Sequence, residues 1–418
     1  MKKRTIWIRA ALVALTLLML VGTVGCNKTP RKDEYVGKQF DFDAASAPFA
    51  ASQMDFSLEL LQRSVSAAKE GESTLISPLS VSMALAMTAC GASRETRAQM
   101  EAMLARGITF DELLEGLGAI RQKTYENKWA TVRIANSLWT RKDAIALKEA
   151  FLSQNADYFG SVVYDRPFNN KTLKEINDWV SDRTDGMIPK TLEEIDPATV
   201  MYLINTLYFE TEWSEQYSRV GDGTFTTADG QVRNVKTLTS TESVYYDDGL
   251  AKGFSKYYAG GYSFVAMLPN EGVSIEEYVA GLTSENLLGM LQTQGESGYD
   301  AKATIPKLDM AYSDEGRMKD ILIAMGMVDA CDAAKADFSA MGTTQDGVLY
   351  LDSVVHKTAL ELDENGTRAA AVTVGGMNNG GGMPLETVTL VFDRPFVFMI
   401  VDYTTKIPLF MGVVMDIE

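Results

Sequence analysis

The chain closes on two runs, "TVTLVFDRPFVFMIVD" (Thr387–Asp402) and "PLFMGVVMD" (Pro408–Asp416), in which apolar residues follow one another instead of alternating with polar ones. A strand sends successive side chains to opposite faces, so a segment apolar on both faces must be covered on both. "TVRIANSLWT" (Thr131–Thr140), "VMYLINTLYFE" (Val200–Glu210) and "GYSFVAMLP" (Gly261–Pro269) carry the same pattern, rich in Val, Ile, Phe and Tyr. Layers that enclose such strands need many helices. From Met54 to about Gln122 apolar residues recur at three and four positions (Met54, Leu58, Leu61, Val65; Val81, Ala84, Leu85, Thr88), the period of an amphipathic helix. Leu173–Asp182 reads as a further helix. The mixture has no βαβ rhythm and no internal repeat, which points to an α+β fold. With 418 residues, 46% of them hydrophobic, material for a large core is ample.

The N-terminus belongs to targeting. Lys2, Lys3, Arg4 and Arg9 precede an apolar run from Ala10 to Val21, in the order and length of a secretory signal and too short for a membrane span. The run leads into "VGTVGC" (Val21–Cys26), which resembles a bacterial lipobox through Val24, Gly25 and Cys26, although Thr23 stands where Leu is commoner. The expectation is a signal peptide over 1–25, a lipid on Cys26 that anchors the protein to the outer face of a bacterial membrane, a polar tether over 26–50 and a folded body over 51–418. An ordinary secreted protein is the alternative. Only Cys90 and Cys331 remain, each in an apolar stretch, so buried thiols are expected and not a disulfide framework.

A net charge of −17 and the lack of a basic cluster in the body argue against nucleic acid as a partner. Catalysis has little to work with. His356 is the one histidine, which excludes every two-histidine zinc motif and leaves any triad to be built around it. No nucleophile elbow, Walker stretch or dinucleotide fingerprint is present, and no carboxylate pair stands out among 56 acidic residues. No cofactor or metal is implied, and an enzyme is not expected.

The least ordinary stretch is "ENGTRAAAVTVGGMNNGGGMP" (Glu364–Pro384). Thr367–Val374 is small, apolar and β-branched, fit for a tightly packed strand, whereas Gly375–Gly382 holds five glycines and suits a tether.

Seven motifs in order carry a family resemblance: "ISPLSVSMALAMTACGA" (Ile76–Ala92), "IANSLW" (Ile134–Trp139), "INDWVSDRTDGMI" (Ile176–Ile188), "INTLYFETEW" (Ile204–Trp213), "ADFSAM" (Ala336–Met341), "VVHKTALELDENGTRAAAVT" (Val354–Thr373) and "DRPFVFMIVDYTTKIPLFMGVV" (Asp393–Val414). Over about residues 50–418 the chain resembles the serpins. The resemblance implies three β-sheets, eight or nine helices and an exposed reactive-centre loop at about 364–386. It implies an inhibitor: an extracellular serine protease cleaves the loop and is held as an acyl-enzyme, while the cleaved loop inserts as a strand into the main sheet. A covalent complex with that protease and a monomeric inhibitor are the family's defaults. The hinge would be Gly366, Thr367, Arg368, Ala369, Ala370, Ala371, Val372 and Thr373. Strand alternation sends Thr367, Ala369, Ala371, Thr373 and Gly375 to one face, all small, and Arg368, which replaces a usual Glu, to the other. The scissile region is Met377, Asn378, Asn379, Gly380, Gly381, Gly382, Met383, Pro384 and Leu385, because counting from Gly366 and from "DRPF" gives different bonds. With no Lys or Arg between Arg368 and Arg394, an elastase-like or subtilisin-like protease is expected over a trypsin-like one. Ser77, Ser80, Asn205 and His356 match the family's shutter, and Trp213 its breach. The alternative is a non-inhibitory serpin-fold lipoprotein that binds at the cell surface.

Overall fold

The computed structural model describes residues 38–40, 46–123, 130–293, 295–296, 298–314, 316–344, 347–367 and 386–417. Cys26, the signal and the loop positions 368–385 therefore lie outside the described residues. Everything described falls within one compact unit, Tyr35–Glu418.

Among the described residues, three main sheets and nine α-helices carry the body, with strands numbered here along the chain. The main sheet has six strands in the order β12 (Leu308–Ser313), β14 (Lys357–Leu362), β15 (Gly366–Thr367), β5 (Met201–Glu212), β2 (Ala130–Arg141) and β4 (Val162–Arg166). Its neighbours are antiparallel except β2 and β4. A second six-stranded sheet runs β1 (Thr74–Ile76), β18 (Pro408–Val414), β17 (Phe396–Asp402), β10 (Tyr262–Pro269), β9 (Ala251–Tyr257) and β8 (Val244–Asp247). Every residue of β10, β17 and β18 is buried, as their two-faced apolarity requires.

The third sheet, β16 (Glu386–Val391), β11 (Tyr299–Pro306), β7 (Val232–Glu242) and β6 (Arg219–Thr226), corrects one expectation. The pattern of "TVTLVFDRPF" predicts cover on both faces from its start, yet among the described residues β16 is an edge strand paired only with β11, and Val391 is 45% exposed. One edge and one face are left to solvent there. A two-stranded pairing of β3 (Ile145–Leu147) with β13 (Gly342–Thr344) completes the set.

Helices fill the space around these sheets. Pro78–Ala89 packs against β5 and is apolar all round, so nearly all of it is buried. Ser77 caps it, accepting from the Ser80 amide, and Pro78 occupies the first turn, where its missing N–H costs nothing. Asn170–Arg183, wider than the expected Leu173–Asp182, uses Ile176, Trp179 and Val180 to build a small separate core with Trp139 of β2 and Ile204 of β5. Cys90 and Cys331 are free and buried, and burial pushes their thiols up to about 12 and about 11.

Candidate functional site

In the main sheet β15 is a strand of two residues wedged between two long neighbours. Thr367 is in register with Leu362 of β14 on one side and with Thr211 of β5 on the other, and Gly366 faces Glu212. The turn that delivers it is built by Asp363, whose carboxylate accepts from the amides of Asn365 (2.7 Å) and Gly366 (3.2 Å). Only glycine fits next. A Cβ at Gly366 would stand 2.2 Å from the Thr211 carbonyl oxygen. Glu364 pairs with Lys307, and hydrogen bonding to that ammonium lowers the glutamate's pKa.

Trp213, directly after β5, grips the same turn. Its indole N–H donates to the Asp363 carbonyl (2.9 Å) and its backbone N–H to the Asn365 carbonyl (3.0 Å). The indole stacks on Tyr258 at 4.1 Å, and Tyr217 meets it edge-on. The Lys256 ammonium, paired with Glu242 at 2.6 Å, lies 5.6 Å from the Trp213 ring and 4.5 Å from that of Tyr217. Thr367 is wholly buried, and its hydroxyl lies 2.6 Å from that of Tyr258.

Beyond β15 the space between β5 and the segment leading into β14 is open. A cavity of about 620 Å³ lies there, lined by β5 from Met201 to Leu207, by residues 347–358 and by the helix Pro78–Ala89 below. Among the described residues no ladder pairs β14 directly with β5. Ser77, Ser80, Asn205 and His356 all line this cavity. They fall into two half-clusters. On the β5 side, Ser80 donates to the Asn205 side-chain carbonyl, Asn205 donates to Asn136 of β2 (2.7 Å), and Asn136 donates to the Phe159 carbonyl (2.8 Å). On the β14 side, the Ser77 amide donates to Nε2 of His356 (3.1 Å), which precedes β14, and the His356 amide donates to the Asp314 carboxylate (3.3 Å).

Burial pushes the His356 imidazole down to about 4, so it is neutral at physiological pH and serves as an acceptor. Burial also raises the Asp314 carboxyl. No nucleophile activated by a base is present among these groups. The site consists of polar ties from the start of the Pro78–Ala89 helix to β5 on one side and to the entry of β14 on the other, with the cavity between them.

Reasoning from the sequence missed three members. Asn136 lay inside the quoted "IANSLW", and the pairing of β2 with β5 puts it opposite Asn205. Asp314 and Tyr258 carried no local signal. Of the hinge positions, Gly366 and Thr367 are described, whereas Arg368, Ala369, Ala370, Ala371, Val372, Thr373 and the scissile region Met377–Leu385 are not.

The family model for Serpin (serine protease inhibitor) matches residues 51–417. The chain belongs to the serpin family. Among curated relatives of this serpin, mouse Leukocyte elastase inhibitor A is 29% identical over 85% of the chain and 96% of its own length. Human Serpin B8 is 29% identical over 80% and 91%. Among solved structures, the thermophilic serpin tengpin in its native state superposes with a TM-score of 0.81 at 37% identity, covering 91% of this chain and 96% of tengpin. Tengpin in its latent state gives 0.77 at 34% identity, covering 91% and 100%. Serpins are in general serine protease inhibitors and not enzymes.

Proposed function

We propose that this serpin is a suicide-substrate inhibitor of an extracellular serine protease. A protease cleaves within residues 377–385 and forms an acyl-enzyme; the freed strand, beginning at Gly366 and Thr367, then fills the space between β5 and β14 before deacylation completes. The observation that carries this reading is the two-residue β15, paired on both sides between β14 and β5, together with a cavity of about 620 Å³ farther along β5 between Met201–Leu207 and residues 347–358. The small side chains at Thr367, Ala369, Ala371 and Thr373 suit entry into a packed interior.

The target is elastase-like or subtilisin-like, because the residues available at the cut are Met, Asn, Gly, Pro and Leu, without a cation. One relative bears the name of an elastase inhibitor, which agrees with that class. Cys26 carries a lipid that holds the inhibitor on the outer face of a bacterial membrane, the reading given by Val24-Gly25-Cys26 after the apolar run.

The test is a denaturing gel after incubation with subtilisin, an elastase and trypsin. A covalent band with subtilisin or elastase supports the proposal. Clean loop cleavage by both without a covalent band overturns it and leaves a surface binding protein as the reading.

A further inference from the structure

Thr367 and Tyr258 are 109 residues apart in sequence, and both are buried almost completely. The tyrosine has little freedom. Its ring stacks on Trp213 with planes 12° apart and takes the edge of Phe209 at 5.3 Å, while its backbone is tied to Tyr262 and bridged to Trp213. Its hydroxyl is thus aimed into the space between β14 and β5, at the position that the first residue of an inserted strand occupies. Burial keeps the phenol protonated, so one hydroxyl of the pair donates and the other accepts.

We propose that Tyr258 is a positioning residue for loop insertion, a seat that selects a β-hydroxyl at position 367. The inference rests on the inhibitory reading above and deepens it. Starting a strand is the unfavourable step, because residues are ordered before ladder bonds repay them. In the uncleaved protein that step is already taken: Thr367 is seated and paired on both sides. After cleavage each further residue adds to an existing end. Without the Tyr258 hydroxyl, the buried Thr367 hydroxyl is left unpaired, and the two-residue strand leaves the sheet more readily. Insertion must then begin afresh while deacylation proceeds. Valine at 367 would fill the same volume but leave the Tyr258 hydroxyl unpaired; serine would keep the bond.

The experiment compares the full chain with Tyr258→Phe, Thr367→Val, Thr367→Ser and a double variant that combines Tyr258→Phe with Thr367→Val, using subtilisin as the probe. Two quantities are read: moles of serpin consumed per mole of protease trapped, and hydrogen exchange of the 366 and 367 amides in uncleaved protein. Loss of this one hydrogen bond in either single variant should raise both by roughly threefold to tenfold. The double variant should be no worse than the singles, since both remove one interaction, and Thr367→Ser should stay near the unmodified protein. Additive effects of the two substitutions, or unchanged exchange and consumption in Tyr258→Phe, would overturn the seat. Should the unmodified protein trap no protease, the inhibitory reading fails, and exchange alone decides: a shared, non-additive acceleration keeps the seat and no acceleration removes it.

Discussion

Asn205 of β5 donates its side-chain amide to the side-chain oxygen Oδ1 of Asn136 in β2 across 2.7 Å, and the two residues are also direct partners in the ladder. This tie fastens β5, which borders the cavity, to β2 in the body of the main sheet. Asn136→Ala should lower the melting temperature of the uncleaved protein by a few degrees. The Asn205 amide and the Phe159 carbonyl both lose a buried partner, at about 1–3 kcal/mol each. A melt within one degree of the unmodified protein would show that water replaces the amide.

Thr367→Arg should turn the inhibitor into a substrate. The side chain at 367 has no exposed surface, and burying an unpaired guanidinium there costs several kcal/mol. Loop cleavage should continue at its normal rate while the covalent band disappears. A retained band would mean that insertion does not pass through this position.

Cleavage of the loop should raise the melting temperature by about ten degrees or more. Roughly a dozen new ladder bonds at about 1 kcal/mol each supply the gain, and a chain of this size converts about ten kcal/mol into a shift of that order. On the proposed mechanism the uncleaved form is held by a barrier. Equal melting temperatures before and after a single loop cut would refute this.

The uncleaved protein should lose stability on acidification through His356. Its folded pKa, about 4, lies below the ordinary value of 6.5, so between the two the unfolded chain binds more protons. The contribution is complete above pH 6.5 and fades as pH falls towards 4, by about 3 kcal/mol in all. Protonation would also set an N–H against the Ser77 amide that now donates to Nε2. Melts between pH 7 and 4 should therefore fall less steeply in His356→Asn, the difference isolating the histidine from the carboxylates. Parallel curves would sink the assignment.

The C-terminal peptide freed when the acyl-enzyme forms should begin within Val374–Glu386, and trypsin should not be trapped rapidly, because no cation is offered between Arg368 and Arg394. Mass spectrometry of that peptide locates the bond.

Much of this was legible in the sequence because it is local or collinear. The two-faced apolar runs became β10, β17 and β18, the three-and-four spacing became the N-terminal helices, and Ser77, Ser80, Asn205, His356 and Trp213 sat within recognisable motifs. What escaped depends on distant partners. Nothing around Tyr258 hints at residue 367, and Asp314 meets His356 only through the pairing of β12 with β14. The exposure of β16 escaped because composition reports how apolar a strand is and not whether it ends at an edge. Strands as short as β3 and β13 exist through each other and leave no periodicity to read.

The missing side chain at Gly366 settles a question of parity. A slip by one residue in either direction would bring Asn365 or Thr367, each with a Cβ, against the Thr211 carbonyl, and the next glycine along the chain is Gly375. In the inserted strand proposed above, odd-numbered positions from 367 onward would therefore take one side and even-numbered ones the other. Arg368, the only charge up to Val374, falls among the even numbers. On that reading one absent carbon would keep a cation out of the interior, by making the strand countable from its first tooth.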